Sequence, residues 1–494
     1  MALATHGQVI EALVANRLSS PTPLVHVQDW AGQWAVWEVW GIEAAVLNDD
    51  RIGRALDAIA LELDHITGSV GARAIGAFGL DVARLHWDLT SISLYGAYPD
   101  PDDGFPAPRY GHPKDRRPDL KQVQTGLAVT GDPDGGVPVL HRADDGGAGE
   151  VAQVIGAMTS LKQLAGRRRL LLVGDSKLVS YPNLRAMLAA KVGFIAPASK
   201  TYVPAGTFAA WTPGRHPGGR CRRPRPAHPA RAARQLPGHR GHHDPCGQGQ
   251  ARPGPVRAAG AGVVLGPRPG RPDQPRPQAG PRPRRPRAAG ARAGRPPRPR
   301  PSRGHRPRAR HHHRRKLACI LQAEVGTDPA TGKPTLSWRF DQHALDAQAR
   351  TDGWYALLTN LDPAEADAAE ILRRSRGQEV VERRYGSFKG PLAVAPLFLK
   401  DNRRIAALIT VICLALLVFC LVERQVRRAI APAGTLDGLW AHRPARPTGR
   451  LIFAALARLR LLPATGTDPP VIPQPPPLQA RILQLLTVDA TRPR

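Results

Sequence analysis

The 494-residue chain is predicted to be an α/β protein whose mixed sheet is flanked by helices, with a helical N-terminal region and an inserted region between Asp175 and Glu382. Three patterns predict this. Apolar residues recur at helical spacing in residues 1–78, strand and turn signals alternate after residue 80, and an unbroken apolar run near residue 170 ends in an acid. An apolar run of that kind is typical of a strand buried on both faces of a sheet.

The N-terminal region is predicted to form a small bundle of amphipathic helices. Asn48, Asp49 and Asp50 offer side-chain oxygens that cap a helix. The apolar positions that follow have a spacing of three to four residues: Ile52, Leu56, Ile59 and Leu63.

Strands are predicted for LHWDLTSISLYG, QVQTGLAVTG and VPVLH, because these segments are separated by Gly, Pro and Asp and should pair as antiparallel neighbours. A helix from about Glu150 to Leu164 comes next. The run RRRLLLVGDSKL then places Asp175 at the carboxyl end of a buried strand, which is where open α/β sheets bind their ligands.

The formal charge of +30 is concentrated in residues 214–315, which hold 27 Arg, no Lys and only two acids, Asp244 and Asp273. With almost nothing apolar to bury, this stretch is predicted to be disordered. One interpretation is a polycationic arm that clamps DNA. The other is that compensating frameshifts near 213 and 316 have replaced the original sequence, since GC-rich DNA translated out of frame yields Arg, Pro, Gly, Ala and His. On the second interpretation, the metal-binding potential of His311, His312 and His313 is incidental.

Cysteine spacing supports neither a disulfide framework nor a zinc site, since the five cysteines lack paired spacing: Cys221, Cys246, Cys319, Cys413 and Cys420. The first residues lack the basic stretch and apolar core of a signal peptide. A cytoplasmic location is therefore the expectation.

Residues 405–422 carry no charge and reach the lower length limit of a membrane span. A helix buried in a large core has the same composition. We favour the buried helix and expect no membrane partner. From about residue 431 the chain is Pro-rich and is predicted to be a tail with one amphipathic piece, GRLIFAALARLRLL.

Four segments carry a family resemblance. They are LHWDLTS with Asp88, YGHPKDRRPDLKQVQTGLAV, LLLVGDSKLVSYPNL with Asp175, and SRGQEVVERRYGSFKGPLAVAPLFL with Glu382 and Lys389. In this order they resemble bacterial insertion-sequence transposases of the Asp-Asp-Glu class, which have an RNase H-like core. The last segment resembles the signature Tyr-x2-Arg-x3-Glu-x6-Lys. The chain departs from the family at four positions: Leu89 for Thr, Pro113 for Ser, Ser375 for Tyr and Gln378 for Arg.

The resemblance implies that Asp88, Asp175 and Glu382 are catalytic and bind Mg²⁺ or Mn²⁺. Phosphodiester chemistry by two metals needs such clustered carboxylates, because Mg²⁺ prefers oxygen ligands. Taken alone, each aspartate could be a capping or surface residue, and Glu382 could belong to a solvated helix face with Glu379, Arg383 and Arg384. Glu382 and Lys389 should share a helix face, because seven residues make almost two turns.

DNA is the expected partner, as element ends and target, and a homodimer is expected by family analogy. Six residues are predicted to contact DNA: Lys389, His112, Lys114, Arg116, Arg117 and Lys121. The segment from His112 to Arg117 could equally be a polar turn between strands.

The predicted domains are a helical region at 1–78 that is a candidate for binding DNA ends, the first part of the catalytic core at 79–200, an insertion at 201–355, the second part of the core at 356–430 and a tail at 431–494. Three alternatives to a transposase are an RNase H-like metal nuclease that never joins strands, an Arg-rich nucleic-acid-binding protein without catalysis, and a membrane protein anchored by 405–422.

Overall fold

The structure is a computed structural model that describes most of the chain. The described residues are 4–199, 202–203, 241–242, 262–267, 320–332, 334–351, 354–394, 397–457, 459–462 and 471–490.

The N-terminal region is helical, as predicted. Thr5 caps the first helix in a capping box with Gln8, and Asn48 caps the fourth by accepting a hydrogen bond from the Arg51 amide. The five helices are α1 (His6–Ser19), α2 (Val27–Ala31), α3 (Val36–Trp40), α4 (Asp49–Ala60) and α5 (Leu63–Phe78).

Five strands form the first part of a mixed sheet: β1 (Arg84–Leu94), β2 (Lys121–Thr130), β3 (Pro138–Asp145), β4 (Leu171–Val173) and β5 (Gly193–Pro197). Their spatial order is β3-β2-β1-β4-β5, with β2 antiparallel to both neighbours and β4 parallel to both of its own. This is the RNase H-like arrangement, so the predicted fold class is confirmed. Two helices occupy the connections, α6 (Glu150–Ala165) and α7 (Tyr181–Ala189).

The short central strands are buried on both faces, as the unbroken apolar run predicted. Leu172 and Phe194 point into the larger hydrophobic core, whereas Leu171, Val173 and Ile195 belong to a smaller core on the opposite face. Successive side chains of a strand point to opposite faces of the sheet, so one apolar run contributes to the cores on both faces.

Beyond β5 the sheet continues through β10 (Trp354–Thr359), β7 (Gly262–Pro267) and β6 (Gly241–His242), all antiparallel to their neighbours. The predicted disorder of 214–315 falls mostly outside the described residues. For β6 and β7 the prediction is wrong, because the short apolar sequence Val263–Leu265 is compatible with a strand and pairs with β10.

The insertion also contains a separate hairpin, β8 (Leu321–Thr327) paired with β9 (Pro334–Phe340), followed by α8 (Gln342–Thr351). Cross-strand pairing puts six apolar residues on one face of this hairpin: Leu321, Ala323, Val325, Leu336, Trp338 and Phe340. Four of them are large and exposed, with Trp338 61% exposed. The hairpin therefore presents an apolar face to solvent.

The helical region predicted at about 363–389 consists of two helices, α9 (Ala368–Arg376) and α10 (Glu379–Lys389), separated at Gly377. The uncharged run lies in α11 (Asn402–Ala429), a helix long and apolar enough to cross a membrane. The most apolar 18-residue stretch of this helix is 78% buried inside the protein. It packs on α1, α4 and β3, as expected for a helix buried in a large core.

Residues after 431 are more ordered than the predicted tail. They form the hairpin β11 (Leu436–Trp440) and β12 (Arg443–Ala445) and the helices α12 (Gly449–Leu456) and α13 (Pro477–Leu485). Apolar residues from these elements make a third core around the end of α11, including Leu436, Ile452 and Ile482. The sequence did not indicate this third core, because the apolar residues that form it are spread over four short elements in a Pro-rich region.

Of the five cysteines, Cys413 and Cys420 are free and buried in α11. The other three, and His311 to His313, lie outside the described residues.

Candidate active site

Two of the predicted acids lie at the same level of the sheet, Asp88 within β1 and Asp175 two residues beyond the end of β4. In the parallel pairing of β1 with β4, His86 lies opposite Val173. Asp88 and Asp175 each come two residues after that pair, so both follow on the same side of the sheet. The chain leaves β4 at Gly174, where an added Cβ would lie 3.5 Å from the Trp87 carbonyl oxygen. Neighbouring strands are about 4.8 Å apart, so this register brings the two aspartates close together.

Asp175 follows β4 at the start of a single 3-10 turn, Ser176–Leu178. Its Oδ1 accepts a hydrogen bond of 2.9 Å from the Lys177 amide, so it is a capping residue as well as a site candidate. Burial raises the pKa of Asp175 above its usual range; the Lys177 hydrogen bond opposes this, and the charges of Asp88 and Glu150 add to it.

Asp88 lies in the middle of β1 and is partly buried. Burial raises its pKa, the ammonium of Lys114 lowers it, and the charge of Glu382 raises it further. Nζ of Lys114 lies 3.3 Å from Asp88 Oδ1 and also donates to the Leu89 carbonyl. The charge of Glu382 raises the pKa of Asp88, and the charge of Asp88 raises the pKa of Asp175. The three acids therefore share one electrostatic environment.

Glu382 lies on the exposed side of α10, and two residues of that helix region hold it against β1. The Tyr385 hydroxyl lies 2.6 Å from the Asp88 carbonyl oxygen and 3.0 Å from that of Thr125. One helical turn before Glu382, Gln378 donates 2.8 Å to the Trp87 carbonyl. The glutamate is thus flanked by two contacts with the strand that carries Asp88.

Carboxylate oxygens are the donors that Mg²⁺ and Mn²⁺ prefer, so the three acids fit such ions in chemistry. In the described part of the chain, no three His, Cys, Asp or Glu side chains are already grouped closely enough to hold a metal ion. The cation beside Asp88 is instead the Lys114 ammonium. Binding a metal would therefore require these side chains to rearrange.

The predicted DNA-contacting residues of the 110–121 loop have different surroundings. The Lys114 amide donates to Ser91 Oγ at 2.8 Å, which holds the loop over β1. Arg117 pairs with Asp119 at 2.6 Å, and Nζ of Lys121 donates to the carbonyls of Ala97 and Tyr98. His112 and Arg116 are exposed.

Lys389 is the last residue of α10; its side chain reaches solvent, but its ammonium is partly desolvated. Burial of its ammonium lowers its pKa, while Asp115 raises it and Lys114 lowers it. Lys389 therefore belongs to the same electrostatic neighbourhood as the loop that carries Lys114.

The side chains that fix α10 in place could not be predicted from the sequence pattern. Arg384, which the charge pattern suggested was solvated, is buried and pairs with Glu423 of α11 at 2.9 Å. Burial raises the pKa of Glu423, but Arg384 and Arg427 lower it more, so the net direction is down. The signal for Tyr385 was its helical spacing from Val381 and Phe388, which are also buried.

Comparisons with known proteins give limited matches. A family model described as a domain of unknown function, DUF4277, matches residues 2–65. No curated protein matches the chain. The piggyBac transposase synaptic complex with hairpin DNA is similar over 84% of this chain and 65% of its own, with 8% identity and a TM-score of 0.37. The Mos1 transposase paired-end complex matches 39% of this chain and 58% of its own, with 10% identity and a TM-score of 0.16.

The chain thus spans less than two thirds of the length of either transposase. At these scores the matches carry no functional argument, and the fold assignment rests on the strand order.

Proposed function

We propose that the protein is a transposase of the Asp-Asp-Glu class that cuts and joins DNA at the ends of an insertion sequence. One observation carries the proposal: Asp88 and Asp175 follow the same paired position on adjacent parallel strands of an RNase H-like sheet. Glu382 completes the acidic set from α10, which Tyr385 and Gln378 hold against β1 beside Asp88.

Asp88, Asp175 and Glu382 would hold Mg²⁺ or Mn²⁺. When bound, two such ions would activate the attacking water or 3′ hydroxyl and stabilise the leaving oxygen. The chain contributes the geometry: Tyr385 and Gln378 fix the helix that carries Glu382 relative to β1. Burial of Asp88 and Asp175 strengthens their interaction with a cation, because the local dielectric is low.

Lys114 has two roles in this proposal. Beside Asp88 it balances the acidic charge. If the carboxylates held a metal instead, its ammonium would be free to meet a phosphate of the DNA, as would the solvent-accessible Lys389, His112 and Arg116. Arg117 and Lys121 reach DNA only by exchanging their present protein partners.

The proposed partners are DNA element ends and target DNA, with action on two ends at once by a homodimer in the cytoplasm. If the frameshift interpretation of 214–315 is correct, the scrambled insertion region would impair this activity.

The test is cleavage of a labelled element end in Mg²⁺ by the full chain, its Asp175→Asn variant and an Asp437→Asn control. Asp437 is an exposed carboxylate on β11, away from the site. We expect Asp175→Asn to abolish cleavage while DNA binding persists in both variants. Retained cleavage in Asp175→Asn would refute the assignment.

A target plasmid in the same reaction separates transposase from nuclease. Strand joining supports the transposase, whereas cleavage without joining identifies a metal nuclease. DNA binding that survives chelation without any cleavage, and is lost on deleting 214–315, identifies an Arg-rich binding protein.

A further inference from the structure

A polar cavity lies at the opposite end of the sheet from the three acids. Its volume is about 320 Å³, which is within the range of small-molecule sites. It opens where β1, β4 and β5 begin, and its walls come from the start of each strand, the segment after β10, and α9.

Basic side chains dominate this cavity. Four cations line it, Arg84, Arg169, Lys191 and Arg374, against two acids, Asp81 and Glu365. The surplus of positive charge is what an anion site requires.

The acids do not satisfy all of these cations. Arg169 pairs with Glu365 at 3.4 Å, and Nε of Arg374 lies 2.7 Å from Glu370. Among the described residues, neither Arg84 nor Lys191 forms an ion pair. Within the described part of the chain, the Arg84 guanidinium donates one hydrogen bond, to the main-chain oxygen of Asp132 at 2.7 Å.

The cavity is separate from the candidate active site. Arg84 begins β1 and Asp88 lies four residues further along it, a separation of roughly 13 Å at the usual rise of a strand. Asp175 lies beyond the other end of β4, whereas Arg169 precedes that strand.

We infer that this cavity binds a phosphate-bearing anion through Arg84 and Lys191, with Arg169 and Arg374 at its margin. A guanidinium presents a planar fork of donors that suits phosphate oxygens, and an ammonium adds a compact charge. The phosphate belongs either to a free nucleotide-like molecule or to the backbone of a DNA segment other than the one at the acids.

Pyrophosphate is the probe, measured by isothermal titration calorimetry on the full chain in EDTA so that no metal can mediate binding. We expect saturable binding, weakened about tenfold in Lys191→Gln, which is the loss of one charge-assisted contact. Lys191 is exposed, so its replacement should leave the fold intact. Arg73→Gln is the matched control, because Arg73 is also an exposed cation but lies on α5, outside the cavity.

Absence of saturable pyrophosphate binding, or equal affinity in Lys191→Gln and the wild type, would overturn the inference. Competition by a short duplex assigns the phosphate to DNA, and lack of competition assigns it to a free ligand. The Asp175→Asn variant should bind pyrophosphate normally, so the failure of this site and that of the proposed catalysis can be told apart.

Discussion

The Tyr385 hydroxyl lies 2.6 Å from the main-chain carbonyl oxygen of Asp88. The contact joins α10 to β1 across 297 residues of sequence. It connects the helix that carries Glu382 to the main chain of Asp88, so it restrains the position of α10 relative to the strand that carries the first acid.

Tyr385→Phe should therefore affect stability and the site together. The loss of one buried hydrogen bond is expected to lower the free energy of unfolding by about 1 kcal/mol, measured by urea denaturation. Cleavage in Mg²⁺ should fall more than stability explains, because Glu382 loses a restraint.

Tyr98→Phe is the control, since the Tyr98 hydroxyl donates to the Leu399 carbonyl at 3.0 Å away from the acids. A similar loss of stability with unchanged cleavage is expected there. Equal cleavage by both variants would show that the Tyr385 contact has no part in positioning Glu382.

Asp175→Asn should stabilise the metal-free protein. The folded-state pKa of Asp175 is raised, first by burial, so its ionised form disfavours folding. That penalty is fully present above the folded pKa, shrinks as the pH falls toward the ordinary value of 3.8, and is absent below it.

In EDTA at neutral pH, the melting temperature of Asp175→Asn should exceed that of the wild type, and the gap should narrow in acid. Added Mg²⁺ should stabilise the wild type more than the variant. A variant that melts lower than the wild type at neutral pH would contradict the burial penalty assigned to the Asp175 carboxylate.

Glu423→Gln should destabilise the protein strongly. It leaves the buried Arg384 without its carboxylate partner, and breaking a buried ion pair costs about 3 to 5 kcal/mol. Asp50→Asn, which breaks an exposed pair with Arg54, should cost less than about 1 kcal/mol.

The difference between wild type and Glu423→Gln should depend on pH. The folded pKa of Glu423 is lowered, so its stabilisation is present above the ordinary value of 4.5 and disappears as the pH falls through the folded pKa. Chemical denaturation at several pH values measures it. A difference that grows in acid would contradict the direction assigned to Glu423.

The exposed apolar face of the β8–β9 hairpin bears on the frameshift hypothesis. A two-stranded hairpin is marginal alone in water, and Leu336, Trp338 and Phe340 are each at least half exposed. Residues 268–315 supply Arg, Pro and Gly rather than large apolar side chains that could cover this face.

Translating the other two frames of the gene across 214–315 should therefore give sequence with strand-like apolar alternation. In a chain with that frame restored, Trp338 should be protected from acrylamide quenching, measured as the difference from a Trp338→Phe variant. If neither frame gives such sequence, the frameshift hypothesis is wrong.

Local patterns predicted four of the eight strands of the sheet, β1 to β4, and the helix between β3 and β4. The strand containing Asp88 and the helix starting at Glu150 appear where alternation and helical spacing placed them. These signals are local, because one buried face imposes its period on consecutive residues.

Contacts between distant segments could not be predicted this way. Nothing in the sequence near Arg384 shows that Glu423 will meet it, since a charge on a helix is usually solvated. The strand Gly262–Pro267 was missed because its few apolar residues lie within Arg- and Pro-rich sequence, and pairing with β10 decided its structure.

The convergence of Asp88, Asp175 and Glu382 on shared metal ions is tested most directly by replacing Mg²⁺ with Fe²⁺ and mapping where locally generated hydroxyl radicals cut the polypeptide. We predict cuts near all three residues, competed away by Mg²⁺ and weakened together in Asp175→Asn. Cuts near only one of the three, or cuts unchanged by Asp175→Asn, would contradict a shared site.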